Sequence, residues 1–137
     1  MQYSRNCFAL LIACLVLTGI SGCAFDLARI KYEPVEIDVS AASELNSFVL
    51  LDSAHIYNSP CGYDRTLRAD TRWDPIGRIP QGNVYSSSNQ TLTVECSNIF
   101  EVYIVVNDLN QLVGGYLPVE DSFVALKKPI PLHLLDN

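Results

Sequence analysis

Ile99-Phe100-Glu101-Val102-Tyr103-Ile104-Val105-Val106 is the most β-prone run in the chain, and only Glu101 in it is charged. Five of its residues are Ile or Val, and β-branched side chains fit a pleated surface better than a helix. The run therefore predicts the central strand. Working outward, Ser97-Asn98 turns the chain on its N-terminal side. Before that turn, Thr91 to Cys96 alternates, with Leu92, Val94 and Cys96 on one face. On the C-terminal side Asn107-Asp108-Leu109-Asn110 supplies a hairpin turn. Gln111 to Leu117 then returns as a strand, and Gly114-Gly115 allows a sharp bend or a close backbone approach.

The same punctuation continues in both directions. Ile76-Gly77-Arg78-Ile79 and the strand opening at Val84-Tyr85 flank a tight turn at Pro80-Gln81-Gly82, and Ser86 to Gln90 is a polar turn. Val35 to Ser40 alternates apolar and acidic, the pattern of a half-buried strand, and Ala41 to Ser47 reads as a loop or helical turn. Phe48-Val49-Leu50-Leu51 opens a strand that can run on to Tyr57. Asn58 to Asp74 is the longest polar stretch and predicts a surface loop. Phe123 to Leu126 and Ile130 to Leu135 add edge strands, the second confined to an edge by Pro129 and Pro131. No helical period of useful length follows the first 22 residues. The fold class is therefore all-β, a small barrel or sandwich of about 6–8 short strands.

The N-terminus is of another kind. Arg5 precedes an apolar or small run from Cys7 to Ile20. That is shorter than the roughly 20 residues a spanning helix needs and within the range of a secretory signal core. Ile20-Ser21-Gly22-Cys23 resembles the bacterial lipobox. The resemblance implies a helical signal peptide at 1–22 and a lipidated tether at 23–34. It also implies a β-domain at 35–137 held to the membrane through acyl chains on Cys23. Ala24, where this family uses aspartate for inner-membrane retention, implies the periplasmic face of an outer membrane.

The chain carries a net charge of −6; its signal holds only Arg5, so the remaining 115 residues carry −7. That charge argues against nucleic acid as a partner, and against direct adhesion of the body to anionic lipid headgroups. Cys7 and Cys14 leave with the signal and Cys23 takes the lipid. Cys61 and Cys96 remain, an even pair in an oxidising compartment, and are expected to form a disulfide. With only His55 and His133 for company they lack zinc-site spacing, so no metal or other cofactor is expected.

With the strands placed, the chain from about 53 to 117 resembles the bacterial Src-homology-3-like domain. Ser53-Ala54-His55-Ile56-Tyr57-Asn58-Ser59-Pro60 matches its first segment loosely. Ile76-Gly77-Arg78-Ile79-Pro80-Gln81-Gly82 matches its Ile-Gly-x-Leu-x-x-Gly segment. Val102 to Val106 with Gly114-Gly115-Tyr116-Leu117 matches its closing strands. The resemblance implies a small barrel after the signal peptide. Departures fall on ligand-facing loops: Tyr57-Asn58-Ser59 replaces Arg-Ser-Gly, Gly115-Tyr116 replaces Gly-Trp, and the stretch from Pro60 to Ile76 is longer than usual.

Catalysis finds few candidates. Asp52, Ser53 and His55 lie on one strand, where neighbours point to opposite faces and cannot assemble a triad. Glu36/Asp38 and Glu120-Asp121 read as solvated acids rather than a glycosidase pair. The chain is expected to be no enzyme. Binding has a better candidate in Tyr63, Arg65, Arg68, Arg72 and Trp73, because arginines with aromatics are the composition of interface anchors. The competing reading leaves a plain disulfide-clipped loop with Trp73 tucked into the barrel end. Tyr103 and Tyr116 form a second candidate. The expected function is that of a non-catalytic outer-membrane lipoprotein whose domain binds an envelope component, a protein assembly or the peptidoglycan. The alternative is an inhibitor of a cell-wall hydrolase.

Overall fold

The computed structural model describes residues 31–57, 65–95 and 98–136. Cys23, Cys61, Tyr63 and Cys96 lie outside the described residues, as do the signal peptide and most of the tether. The strands in chain order are β1 (Glu33–Pro34), β2 (Phe48–Leu50), β3 (Ala54–Ile56), β4 (Arg65–Leu67), β5 (Arg72–Ile79) and β6 (Gly82–Ser86). They continue with β7 (Leu92–Glu95), β8 (Ile99–Val106), β9 (Gln111–Leu117), β10 (Ser122–Pro131) and β11 (Leu134–Asp136). A six-residue 3₁₀ turn, Val39–Glu44, is the one helical element among the described residues. The chain is all-β.

Nine strands form one antiparallel sheet in the order β1-β10-β9-β8-β6-β5-β2-β11, with β7 branching from the start of β8. β3 and β4 pair with each other in a separate hairpin. β8 is the hub. Its first half pairs with β7, its second half with β6, and its other edge with β9. Val102, Ile104 and Val106 enter one apolar cluster, while Tyr103 and Val105 enter another on the opposite face. Burial on both faces holds only for the second half, Ile104 to Val106; in the first half Ile99 and Glu101 are exposed.

The first cluster draws Phe48, Leu67, Trp73, Tyr85, Ile104 and Leu112 together. Leu126 and Ile130 of β10 and Leu134 of β11, from opposite ends of the sheet path, pack against the same cluster. The sheet therefore wraps around it, and the β3–β4 hairpin adds Ala54 and Leu67. The second cluster, Ile79, Val84, Val105, Tyr116 and Phe123, lies on the other face. It is covered by Val35 and Ile37 of the N-terminal segment.

Two close approaches fix this arrangement. A Cβ on Gly77 would stand 2.6 Å from the Asp38 carbonyl oxygen and 2.9 Å from Ile37 Cγ1. Only glycine lets the covering segment reach β5, where Asp38 and Arg78 exchange backbone hydrogen bonds of 2.8 and 3.0 Å. Gly114 does the same for β10, because its missing Cβ leaves room for the Val124 carbonyl and the Phe123 ring.

Three sequence expectations need correction. Val35 to Ser40 is not a ladder strand. The Asp38 carboxylate accepts from Ser40 N at 3.0 Å and caps the 3₁₀ turn, which diverts the backbone after a single bridge to Arg78. The strand from Phe48 does not run to Tyr57. It breaks at Leu51-Asp52, where Leu51 N donates to the His133 carbonyl, and β3 leaves to pair with β4. Asn58 to Asp74 is not one loop, since it contains β4 and the start of β5. Its arginines sit beside fully buried Leu67 and Trp73, and the polar composition concealed those two anchors.

Candidate functional site

The hairpin β3–β4 leans on the start of β7. Gln90 Nε2 donates to the Thr66 carbonyl at 2.7 Å, and Arg68 N donates to Gln90 Oε1 at 3.0 Å. Arg68 also reaches the Asn89 carbonyl through its guanidinium. Arg65 pairs with Glu95 at 2.8 Å, and Thr93 Oγ1 donates to the same carboxylate. These bonds hold the Glu95 carboxyl below its ordinary range, the Arg65 hydrogen bond first and the Thr93 hydroxyl second.

Behind this polar seam lies an apolar recess of about 60 Å³. Its walls include Ile56 of β3, Leu92 of β7, Val102 and Ile104 of β8, Leu117 of β9 and Leu126 of β10, and Arg65 stands at its border. The floor depends on Gly115, whose absent side chain leaves space against Val102 Cγ1. Leu117 and Val124 continue the apolar surface past Val94 and Phe100. It ends where the Tyr32 ring meets the Phe100 ring edge-on, centroids 6.0 Å apart. The recess suits the end of an aliphatic side chain.

The expected binding residues are not brought together as one face. Trp73 is a correction: strand alternation turns Arg72 outward and Trp73 inward, and the indole is 1% exposed. Its ring cannot meet a partner in this fold. Arg72 donates to Asp74 at 2.8 Å and to Ser47 Oγ at 3.1 Å, away from the recess. Ser47 Oγ, then Arg72, hold the Asp74 carboxyl low. Arg65 and Arg68 do share the β4–β7 seam. Cys61, Cys96 and Tyr63 lie outside the described residues.

Tyr103 and Tyr116 are cross-strand partners on β8 and β9. Tyr116 is buried and donates to Asp121 Oδ1 at 2.8 Å; burial first, and this bond second, push its hydroxyl up to about 12. It serves the β9–β10 turn. His55 is exposed and shares a 2.9 Å hydrogen bond with Thr66 Oγ1, while Ser53 Oγ accepts from Ala69 N. His133 meets Asp52 at 2.7 Å on the surface. Asp38 is held low by Ser40, side chain then backbone. Among the described residues no three His, Cys, Asp or Glu side chains gather as a metal site.

Sequence reasoning missed the recess, because its residues come from six strands and each looks like ordinary core. The Gly114-Gly115 pair was the available signal, a place where strand residues lack the bulk to fill a face. Comparison with protein-family models, curated proteins and solved structures gives no match for this chain.

Proposed function

We propose that this chain is a non-catalytic lipoprotein of an outer membrane. Acyl chains on Cys23 would hold its Src-homology-3-like β-domain at the periplasmic face, where it binds an envelope protein assembly. Ile20-Ser21-Gly22-Cys23 at the end of the apolar run supports the anchor. The observation that carries the partner class is the recess, whose lining is almost wholly apolar. Glycan strands are bound through polar groups and stacking aromatics. The recess has no aromatic in its lining and only Thr93 and Arg65 as polar side chains, and the one tryptophan is inside the core. An aliphatic side chain from a protein partner matches it better.

Fractionation of cells carrying Cys23→Ala tests the anchor. The variant leaves the membrane pellet; retention there would contradict lipidation. A photocrosslinking residue at Thr93, on the recess wall, tests the partner class in the lipidated protein. A discrete protein adduct supports the reading. Co-sedimentation with purified sacculi in place of such an adduct would overturn it in favour of peptidoglycan.

A further inference from the structure

The chain has three lysines, Lys31, Lys127 and Lys128, and all are exposed. Each described arginine is engaged: Arg65 by Glu95, Arg68 by Asn89, Arg72 by Asp74 and Arg78 by Asn83. Among the described residues none of the lysines has an ion pair or hydrogen bond.

The topology brings these free cations to one edge. β10 pairs with β9 along its length, but β1 covers its other side only at Ser122 and Phe123. From Ala125 onward no described strand pairs with that side, and β10 carries the irregularity in its pairing with β9 between Ala125 and Ile130 that includes Lys127 and Lys128. β1 runs antiparallel to β10, with Pro34 opposite Ser122 and Glu33 opposite Phe123. Followed back toward the N-terminus, Tyr32 and Lys31 head along this open edge toward the two lysines. The described acids that flank β1 and the start of β10 are engaged or placed elsewhere. Glu33 accepts from Gln81 Nε2, Asp121 from Tyr116, and Glu120 stands beyond the far end of β10.

We propose that the open edge of β10, with Lys127, Lys128 and Lys31, lies against anionic phospholipid headgroups of the membrane that holds the protein. The proposal rests on the lipid-anchor reading for its tether. Seven residues lie between Cys23 and Lys31, so the eight Cα–Cα steps reach at most about 29 Å. An anchor that short keeps the tether side of the domain near the bilayer. Tyr32, 43% exposed beside Phe100, is an amphipathic aromatic of the kind that sits at headgroup level. The whole chain carries −6, so the same surface that attracts this edge repels the rest of the body. A lysine near an anionic leaflet is favoured about fivefold, so three together favour the edge-down orientation on the order of 100-fold. The recess, bordered by Arg65, would then take its partner close to the membrane.

The test uses the full lipidated chain in vesicles of phosphatidylcholine, with and without phosphatidylglycerol. A membrane-impermeant amine reagent labels the lysines and mass spectrometry reads each position, while flotation of the same sample reads attachment. On anionic vesicles Lys127 and Lys128 label more than about tenfold more slowly than on neutral ones. High salt removes the difference by screening. In Lys127→Glu/Lys128→Glu, whose exposed positions leave the core untouched, Lys31 loses its protection. Protein that floats but labels equally on both vesicles overturns the orientation and leaves the anchor standing. Protein that does not float but is protected at low salt sinks the anchor and keeps the edge. Neither flotation nor protection overturns both.

Discussion

Trp73→Ala separates a core role from a binding role. The indole is 1% exposed and packs in the cluster shared by Phe48, Tyr85 and Leu112. A buried tryptophan covers about 200 Å², worth about 5 kcal/mol at about 25 cal/mol per Å². Against that, Nε1 is buried with no hydrogen-bond partner among the described residues. An unmet donor costs about 1–3 kcal/mol, and the alanine variant is relieved of it. The net expectation is a loss of about 3 kcal/mol, at the lower end of measured Trp→Ala changes in cores. A domain of this size has about 5–15 kcal/mol in total. The variant therefore folds, but its urea midpoint drops by about 2 M at a slope of about 1.5 kcal/mol per M.

Trp73 is the single tryptophan of the chain, so far-UV circular dichroism replaces fluorescence as the probe for this variant. In the wild type its emission is blue-shifted and poorly quenched by acrylamide. Arg72→Ala is the control, on the same strand with an exposed side chain. It loses one surface ion pair, about 0–1 kcal/mol. A Trp73→Ala midpoint equal to that of Arg72→Ala, together with solvent-like emission in the wild type, would refute the burial argument.

Gly77→Ala forces a methyl group against the Asp38 carbonyl and Ile37. Overpacking of about 1–3 kcal/mol follows, and the Asp38 and Arg78 amides lose protection in hydrogen exchange; retained protection would refute the close approach. Tyr116 gives an alkaline limit. Its folded pKa of about 12 lies above the unfolded value near 10, so its contribution is complete below pH 10 and is lost as pH rises toward 12. Tyr116→Phe flattens that limb of the stability curve, and an unchanged limb would assign it elsewhere. Cys61 and Cys96 resist alkylation until reduced, and reduction lowers stability by about 3–4 kcal/mol; free thiols in the native protein would remove the disulfide.

The parts of this fold legible in the sequence are those set by contacts local in the chain. The turn at Asn107 to Asn110 and the return of Gln111–Leu117 follow from turn chemistry and strand composition, and both ends of β9 fall where these place them. β8 is legible for a related reason. Its second half has neighbours on both edges and apolar clusters on both faces, and carries no charged residue from Val102 to Val106. Where tertiary contacts decide, the pattern misleads. The alternation at Val35 to Ser40 correctly marks Val35 and Ile37 as inward residues, yet periodicity carries no information about which backbone lies alongside. Gly77 and the Asp38 cap settle that. In 58–74 the argument runs the other way. Arginines on a strand face have the composition of a loop, and only the two apolar residues between them, Leu67 and Trp73, betray burial. The same limit hides the lysine edge. Lys31 and Lys128 are 97 positions apart in the chain, and only the antiparallel pairing of β1 with β10 brings the segments that carry them to one edge. A binding reading based on composition will therefore favour residues adjacent in sequence, such as Arg72 and Trp73. Where the strand is regular, as at Arg72 and Trp73, its geometry sends such neighbours to opposite faces, and assembles its surfaces from residues far apart.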